Sequence, residues 1–226
     1  MELRAENVSR RYFRKHGEAN YFEAVCPVSL TLNSGEMTVL KGKSGSGKTT
    51  LTHMLAGLLQ PTEGKVYLDG TDLYSLDDRT LSRLRNEKIG VVPQGRSAVD
   101  TLTVYENILL PGMIWHGTDR SAEAEKWMSV LGIADLRDAM PAELSGGELR
   151  RLAIARVLAG DPEVILADEP TGDLDDENTE TVLSALHRCA HEQRRAVFIV
   201  THENDALRYA DRTLVMEKGV VSYLTL

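Results

Sequence analysis

The stretch Gly42-Lys43-Ser44-Gly45-Ser46-Gly47-Lys48-Thr49 restricts the fold of this chain more than any other feature. It follows a short apolar run, Met37-Thr38-Val39-Leu40, which reads as a buried strand. It opens a segment in which Leu51, Met54, Leu55, Leu58 and Leu59 recur at helical spacing, one apolar face of a helix over 49–59. Gly57 weakens that helix and Gln60-Pro61 is expected to end it. Closely spaced glycines let backbone N–H groups turn toward a shared centre, and the helix start adds partial positive charge. Strand, glycine loop and helix in this order make a cradle for phosphate groups. Lys48 is placed to reach β- and γ-phosphates, and the Thr49 hydroxyl to bind Mg²⁺. Gly42, Ser44, Gly45, Ser46, Gly47, Lys48, Thr49 and Thr50 are the candidate nucleotide-binding residues, whereas Lys43 reads as a solvated surface charge.

Further short apolar runs alternate with helical patterns, the mark of an α/β fold with a mostly parallel sheet. Ile89–Val92, Val164–Ala167 and Val197–Val200 join Met37–Leu40 as strands, all four expected to be central. Glu2–Val8, Val28–Leu32, Lys65–Leu68, Arg212–Glu217 and Val220–Leu224 suggest an antiparallel flank joined by tight turns. Between Gln94 and Arg156 helical periods replace the strand signal, which predicts a helical insertion at 94–156 within one domain of 1–226. The parts 1–93 and 157–226 then form the core. Val182, Leu183, Leu186, Cys189 and Ala190 make the apolar stripe of a later helix, so Cys189 reads as core.

Composition narrows the function. A net charge of −8 and 5% aromatic residues argue against a protein that neutralises or stacks on nucleic acid. Two cysteines offer no disulfide framework, and Met1–Arg10 has no signal-peptide pattern, so a cytoplasmic setting is expected. The aliphatic runs fall far short of the roughly 20 residues of a membrane helix.

Val164-Ile165-Leu166-Ala167 ends in Asp168-Glu169. A carboxylate at the tip of a buried strand beside a phosphate loop can hold Mg²⁺, the role expected of Asp168. Glu169, pointing elsewhere, can act as general base on an attacking water. Leu144-Ser145-Gly146-Gly147-Glu148 precedes a helical run and then this acidic pair.

In that order the chain closely resembles the ATPase subunits of ATP-binding-cassette (ABC) transporters, whose signature motif LSGGE resembles. The resemblance covers nearly the whole chain and implies a P-loop NTPase with a RecA-like core. It also implies an N-terminal antiparallel β subdomain and an α-helical insertion. Gln94 matches the Q-loop glutamine, a ligand of Mg²⁺ or its water that reports on γ-phosphate. Thr171-Gly172-Asp173-Leu174-Asp175 matches the D-loop, with Asp173 near nucleotide, and His202 matches the switch histidine that orients water beside Glu169. Tyr12 is similar to the aromatic that stacks on adenine, although Phe13 beside it could serve instead. Ser145, Gly146, Gly147 and Glu148 would complete the ATP site of a second subunit, since two such domains pair head-to-tail around two ATP molecules. All elements of both half-sites stand in this chain, which favours a catalytically competent homodimer. The resemblance further implies an integral membrane permease as partner and a place on the inner face of the membrane.

Glu36-Met37, Gly45–Thr50, Thr103–Pro111 and Ala167–Asp175 are similar to one branch, the macrolide-export, lipoprotein-release and antimicrobial-peptide-resistance ATPases. Two stretches depart from it. After Gln94 that branch usually has an aromatic and a Leu-Leu-Pro-like run, where Gly95-Arg96-Ser97-Ala98-Val99-Asp100 stands here. After the signature the family often carries glutamine, where Leu149-Arg150-Arg151 stands here. A soluble ABC-type ATPase in an assembly or cell-division complex is the alternative function, and a P-loop kinase would give LSGGE no purpose. His187 and His191 stand at i, i+4, the spacing of a metal pair, but Cys189 between them falls on the apolar stripe and no third ligand shares their face, so no metal is expected there. Trp115 and Trp127 in the insertion are expected to pack in a core.

Overall fold

The computed structural model describes residues 1–13, 21–115 and 119–223, with only the backbone of Trp115. Along the chain run β1 (Glu2–Phe13), β2 (Tyr21–Asn33), β3 (Glu36–Lys41), α1 (Lys48–Leu55), β4 (Glu63–Leu68), β5 (Thr71–Asp72), α2 (Asp78–Lys88) and β6 (Ile89–Val92). They are followed by α3 (Val104–Trp115), α4 (Ser121–Val130), α5 (Gly146–Ala159), β7 (Val164–Asp168), α6 (Asp176–His191), β8 (Ala196–Thr201), β9 (Arg212–Glu217) and β10 (Val220–Tyr223).

The main sheet has the order β10-β9-β3-β8-β7-β6, and a smaller antiparallel sheet has the order β2-β1-β4-β5. In the main sheet alternate residues divide between two cores, as the two-residue strand period requires. Met37 and Val39, Ile165 and Ala167, Val197 and Ile199 face α3–α6. Leu40, Val164, Leu166, Phe198 and Val200 face α1 and the antiparallel sheet, whose Leu3, Ala5, Val8, Val25 and Leu30 complete that layer. The result is an α/β cassette of three layers, with β3, β7 and β8 buried on both sides.

Several boundaries differ from the sequence expectations for identifiable reasons. Helix α1 ends at Leu55, not near Pro61. Gly57 adopts φ 69°, and Gly57 N–H and Leu58 N–H donate to Met54 O (3.3 Å) and His53 O (2.9 Å), a Schellman stop. Leu58 is therefore exposed, not on the buried face. β6 is an edge strand, not a central one. β9 belongs to the core, running parallel to β3, and only β10 is antiparallel there; Leu224 lies outside the described residues. β1 runs on past Val8 to Phe13 and β2 begins before Val28, at Tyr21, because β-bulges near Asn7 and Arg10 interrupt the alternation that marks a strand. Helix α2 carries little apolar signal, and its start is set by Asp77, which accepts from Thr80 N–H at 2.9 Å.

Between β6 and β7 the chain is helical, with α3 and α4 packed on α5. Buried Asn107 organises the loop before α3: its Oδ1 accepts from Val99 N–H, and its Nδ2 donates to the carbonyls of Val99, Leu102 and Thr103. Trp127 is 4% exposed in this core; the Trp115 side chain lies outside the described residues. Cys189 is buried in the α6 stripe, as its spacing predicts.

The glycine loop is braced from two sides. Ser46 O accepts from Gly219 N–H in the β9–β10 turn at 2.9 Å, and Gly219 O accepts from Cys26 N–H of β2 at 2.8 Å. Gly47, at φ 109°, leaves no room for a side chain: a Cβ there would stand 2.1 Å from Ala24 O and 2.8 Å from Met216 Cε. Gly45 at φ 75° has nothing within 4 Å of that position. Gly47→Ala is accordingly expected to destabilise the chain by about 2–4 kcal/mol and to abolish nucleotide binding. Gly45→Ala should cost only about 1 kcal/mol of backbone strain. Denaturant midpoints of the two variants check the contrast.

Candidate functional site

Strands β3, β6, β7 and β8 are parallel, with Lys41 opposite Thr201, Val200 opposite Asp168 and Ala167 opposite Val92. Their carboxyl ends therefore finish at one edge of the sheet, where an open α/β fold places its ligand. Emerging there are the glycine loop, Gln94, the Asp168-Glu169 pair and His202. A cleft at this edge is lined by Tyr12, Phe22, Ala24, Ser44, Gly45, Gly47, Lys48, Thr49, Thr50, Gln94 and Glu169.

Lys48 is 5% exposed at the start of α1. Its ammonium donates to Gly42 O at 2.7 Å and Lys43 O at 3.2 Å, and lies 3.5 Å from Glu169 Oε1. Carbonyls and a carboxylate thus hold the buried cation where the loop curls. Glu169 has a left-handed φ of 50°, which turns its side chain back into the site. Its Oε2 accepts from Thr201 Oγ1 at 3.1 Å and His202 N–H at 3.3 Å, and lies 2.9 Å from His202 Nδ1. Burial pushes the Glu169 carboxyl up, but His202, Thr201 and Lys48 outweigh it and hold the group below its ordinary value. It is ionised at neutral pH.

Asp168 is in the opposite condition. It is 2% exposed, and neither carboxylate oxygen has a hydrogen-bond partner. Burial raises its pKa, with the neighbouring charge of Glu169 adding to the effect; Thr49 opposes the shift from close by without reaching hydrogen-bond geometry. A buried, unsatisfied carboxylate beside a threonine hydroxyl is a hard oxygen donor set suited to Mg²⁺. Ser46 Oγ is a further buried oxygen without a partner in the loop.

At the mouth of the cleft Tyr12 and Phe22 face each other across β1 and β2. Phe13 does not line it; its ring packs edge-on against Tyr21, with centroids 5.7 Å apart. Arg10 covers the Tyr12 ring at 4.9 Å.

The signature residues are not brought into this cleft. Ser145 is exposed and caps α5, accepting from Glu148 N–H at 3.3 Å. The Glu148 carboxylate in turn accepts from Ser145 N–H and Oγ–H, both at 2.7 Å. Those bonds hold its carboxyl below the ordinary range. Gly146 and Gly147 pack on Asp173 and Leu174: a Cβ on Gly147 would lie 3.3 Å from Asp173 O. Asp173 is exposed and likewise outside the cleft. Of the expected site, then, residues 12, 44, 45, 47–50, 94 and 169 line the cleft, His202 and Gly42 touch its Glu169 and Lys48, Asp168 and Ser46 are buried beside it, and 145–148 with 173 form a second, separate face.

Sequence reasoning missed four contributors. Phe22 gave no signal beyond a lone aromatic. Thr201 bonds Glu169, and its Oγ1 accepts from Glu203 N–H at 3.0 Å. Glu203 accepts from Thr171 Oγ1 at 2.6 Å, so the loops after β7 and β8 are joined. Arg150 donates to Pro93 O, beside Gln94. The two histidines at i, i+4 have other partners: His191 Nδ1 lies 3.1 Å from His187 O and Nε2 3.1 Å from Asp211 Oδ1.

A phosphate cradle, an ionised carboxylate against a histidine, and a signature helix presented outward define an ATP-hydrolysing cassette. The family model described as ABC transporter matches residues 25–172, and the chain belongs to that family. It is similar to the lipoprotein-releasing system ATP-binding protein LolD of Aquifex aeolicus, at 39% identity over 97% of this chain and 95% of that one. A methionine import ATP-binding protein, MetN 1 of Listeria monocytogenes, is 40% identical over 87% of this chain and 59% of its own length. Among solved structures, the dimeric bacterial ABC transporter cassette MJ0796 matches with TM-score 0.90 and 33% identity, covering 99% of each chain. A post-hydrolysis form of that cassette, bound to ADP and Pi, matches equally well. The chain is an ATP-binding, ATP-hydrolysing subunit of an ABC transporter.

The orphaned carboxylate yields a prediction with a definite sign. A pKa raised by folding means that the native state loses stability as pH rises through the titration of Asp168. Asp168→Asn is therefore expected to raise Tm at pH 7 without Mg²⁺ and to lose the stabilisation that Mg²⁺ with ATP confers. Thermal melts with and without the metal at pH 5 and pH 7 check both parts; the gain from the substitution should shrink at the lower pH.

Proposed function

We propose that the chain works as a head-to-tail homodimer on the inner face of the cell membrane, driving a separate integral membrane permease. One observation carries this reading: Ser145 and Gly146 are exposed, and with the half-buried Gly147 they lie outside the chain's own cleft. A signature that serves ATP hydrolysis must then complete the cleft of another subunit, and two-fold symmetry makes two such sites. Among the described residues no helix is long and apolar enough to cross a membrane, which fits a permease carried on other chains. The similarity to a lipoprotein-releasing ATP-binding protein, which spans 95% of that relative against 59% of the methionine import protein, supports export or mechanotransmission.

Residue roles follow from chemistry. Lys48 exchanges its carbonyl partners for the β- and γ-phosphates, and the loop amides of residues 42–50 bind the same groups. Tyr12, backed by Phe22, takes the adenine ring. Thr49, Asp168 and Gln94 would hold Mg²⁺, whose contribution is to neutralise phosphate charge and fix its orientation. Glu169 accepts the proton of the attacking water, with His202 and Thr201 holding its carboxylate in place. Ser145 and the amides of Gly146 and Gly147 bind the partner's γ-phosphate, with Glu148 and Asp173 at the same junction. Residues 94–156 form the helical subdomain that moves toward the core 1–93 and 157–226 as the dimer closes.

Glu169→Gln should bind ATP, accumulate as a closed dimer and lose about 10²- to 10⁴-fold in kcat. Size-exclusion chromatography with ATP and Mg²⁺ measures this, and a monomer that hydrolyses normally would sink the role. Lys48→Ala should lose turnover without trapping a dimer. In mixed dimers, Ser145→Ala on one subunit should silence the site whose Lys48 belongs to the other. Recovery with an integral membrane protein from detergent tests the permease; a wholly soluble complex would favour the assembly-factor alternative.

A further inference from the structure

Three arginines of α5 hold backbone carbonyls. Arg151 donates to Leu131 O at 3.0 Å and Gly132 O at 3.1 Å. Arg156 donates to Ser97 O at 2.8 Å and Ser97 Oγ at 2.7 Å, and its burial lowers its pKa. Arg150 is the most informative. It is 8% exposed, no carboxylate pairs with it among the described residues, and its Nη1 donates to Pro93 O at 2.8 Å. A Cβ on Gly172 would meet Arg150 Nη2 at 3.9 Å, so the guanidinium also lies against the turn that follows Glu169. That turn is closed by Gly172 N–H on Glu169 O at 3.2 Å.

A buried cation without a counter-ion is costly, and an apolar side chain would fill the same space more cheaply. A planar group with five N–H donors, in contrast, can hold one loop backbone while packing flat against another. We propose that Arg150 is a positioning residue for ATP hydrolysis. It ties the backbone at Gln94 to the helix capped by Ser145, five residues earlier, while its guanidinium lies beside the turn at Glu169. Displacement of Gln94 by nucleotide then carries α5, and with it the signature serine, as one unit. The inference rests on the roles given above to Gln94, Glu169 and Ser145, and it assigns work to a position where the family often carries an uncharged side chain.

The test separates positioning from packing. Arg150→Met should lower kcat by about 10- to 100-fold, as misplaced catalytic groups do. Binding of ADP to the isolated subunit, followed calorimetrically, should stay within about twofold, because uniform binding is not what the residue provides. In the Glu169→Gln background the same change should raise the ATP concentration needed for dimerisation. Arg150→Lys, which keeps one donor, should recover part of kcat. Unchanged kcat in a cooperatively melting Arg150→Met protein would overturn the proposal, and so would a loss of ADP affinity in step with kcat. If Arg150→Met does not fold, Arg150→Lys decides alone: reduced kcat with ADP affinity intact supports the role, and unchanged kcat refutes it. Failure of Glu169→Gln itself to dimerise would count against the site reading; the split between kcat and ADP affinity would still judge Arg150.

Discussion

The parallel pairing of β3, β8 and β7 is the constraint on which the site depends. With Lys41 opposite Thr201 and Val200 opposite Asp168, three loops from distant parts of the sequence leave the sheet at one level. A slip of one residue in any of these strands would reverse its buried faces and send its loop elsewhere. The cores on either side make such a slip prohibitive, because Val197 and Ile199 pack on one side and Phe198 and Val200 on the other. Packing energy thus enforces the positions of Lys48, Glu169 and His202 to within hydrogen-bond tolerance.

Within that frame the two adjacent carboxylates divide their work through environment. Both are nearly inaccessible, yet Glu169 is surrounded by Lys48, Thr201 and His202, whereas Asp168 has no partner on either oxygen. One is held as a stable anion, and the other is left with unmet demand for a cation. The left-handed backbone at Glu169 is what lets consecutive residues meet such different surroundings. A second division concerns the signature helix. Its glycines pack on Asp173 while its serine faces outward, so the signature face and the cleft stand apart in the one chain.

How much of this was legible in the sequence varied with how local the cause was. The glycine loop, the acidic strand end and the α6 stripe are contiguous or periodic, and each lies where its pattern places it. The sequence pattern overruns the end of α1, because Leu58 keeps the helical spacing after Gly57 has already turned the backbone. The place of β9 is hidden in the sequence, because a hairpin looks the same whether its first strand joins a parallel core or an antiparallel flank. Phe22, Thr201, Glu203 and Arg150 carried no motif at all. Their significance comes from partners tens of residues away, such as Pro93 for Arg150 and Thr171 for Glu203.

By itself, then, the sequence determined the chemistry available: a phosphate cradle, two carboxylates, a histidine, a glutamine and a signature serine, on an α/β frame. These depend on residue type and short-range spacing, which a linear order preserves. Only the tertiary structure decided which groups meet. It set Glu169 against His202 and Lys48, left Asp168 bare, put Tyr12 and not Phe13 at the cleft, and turned Ser145 away from it. Those outcomes follow from strand register and helix packing, which are settled by the burial of side chains far apart in the chain.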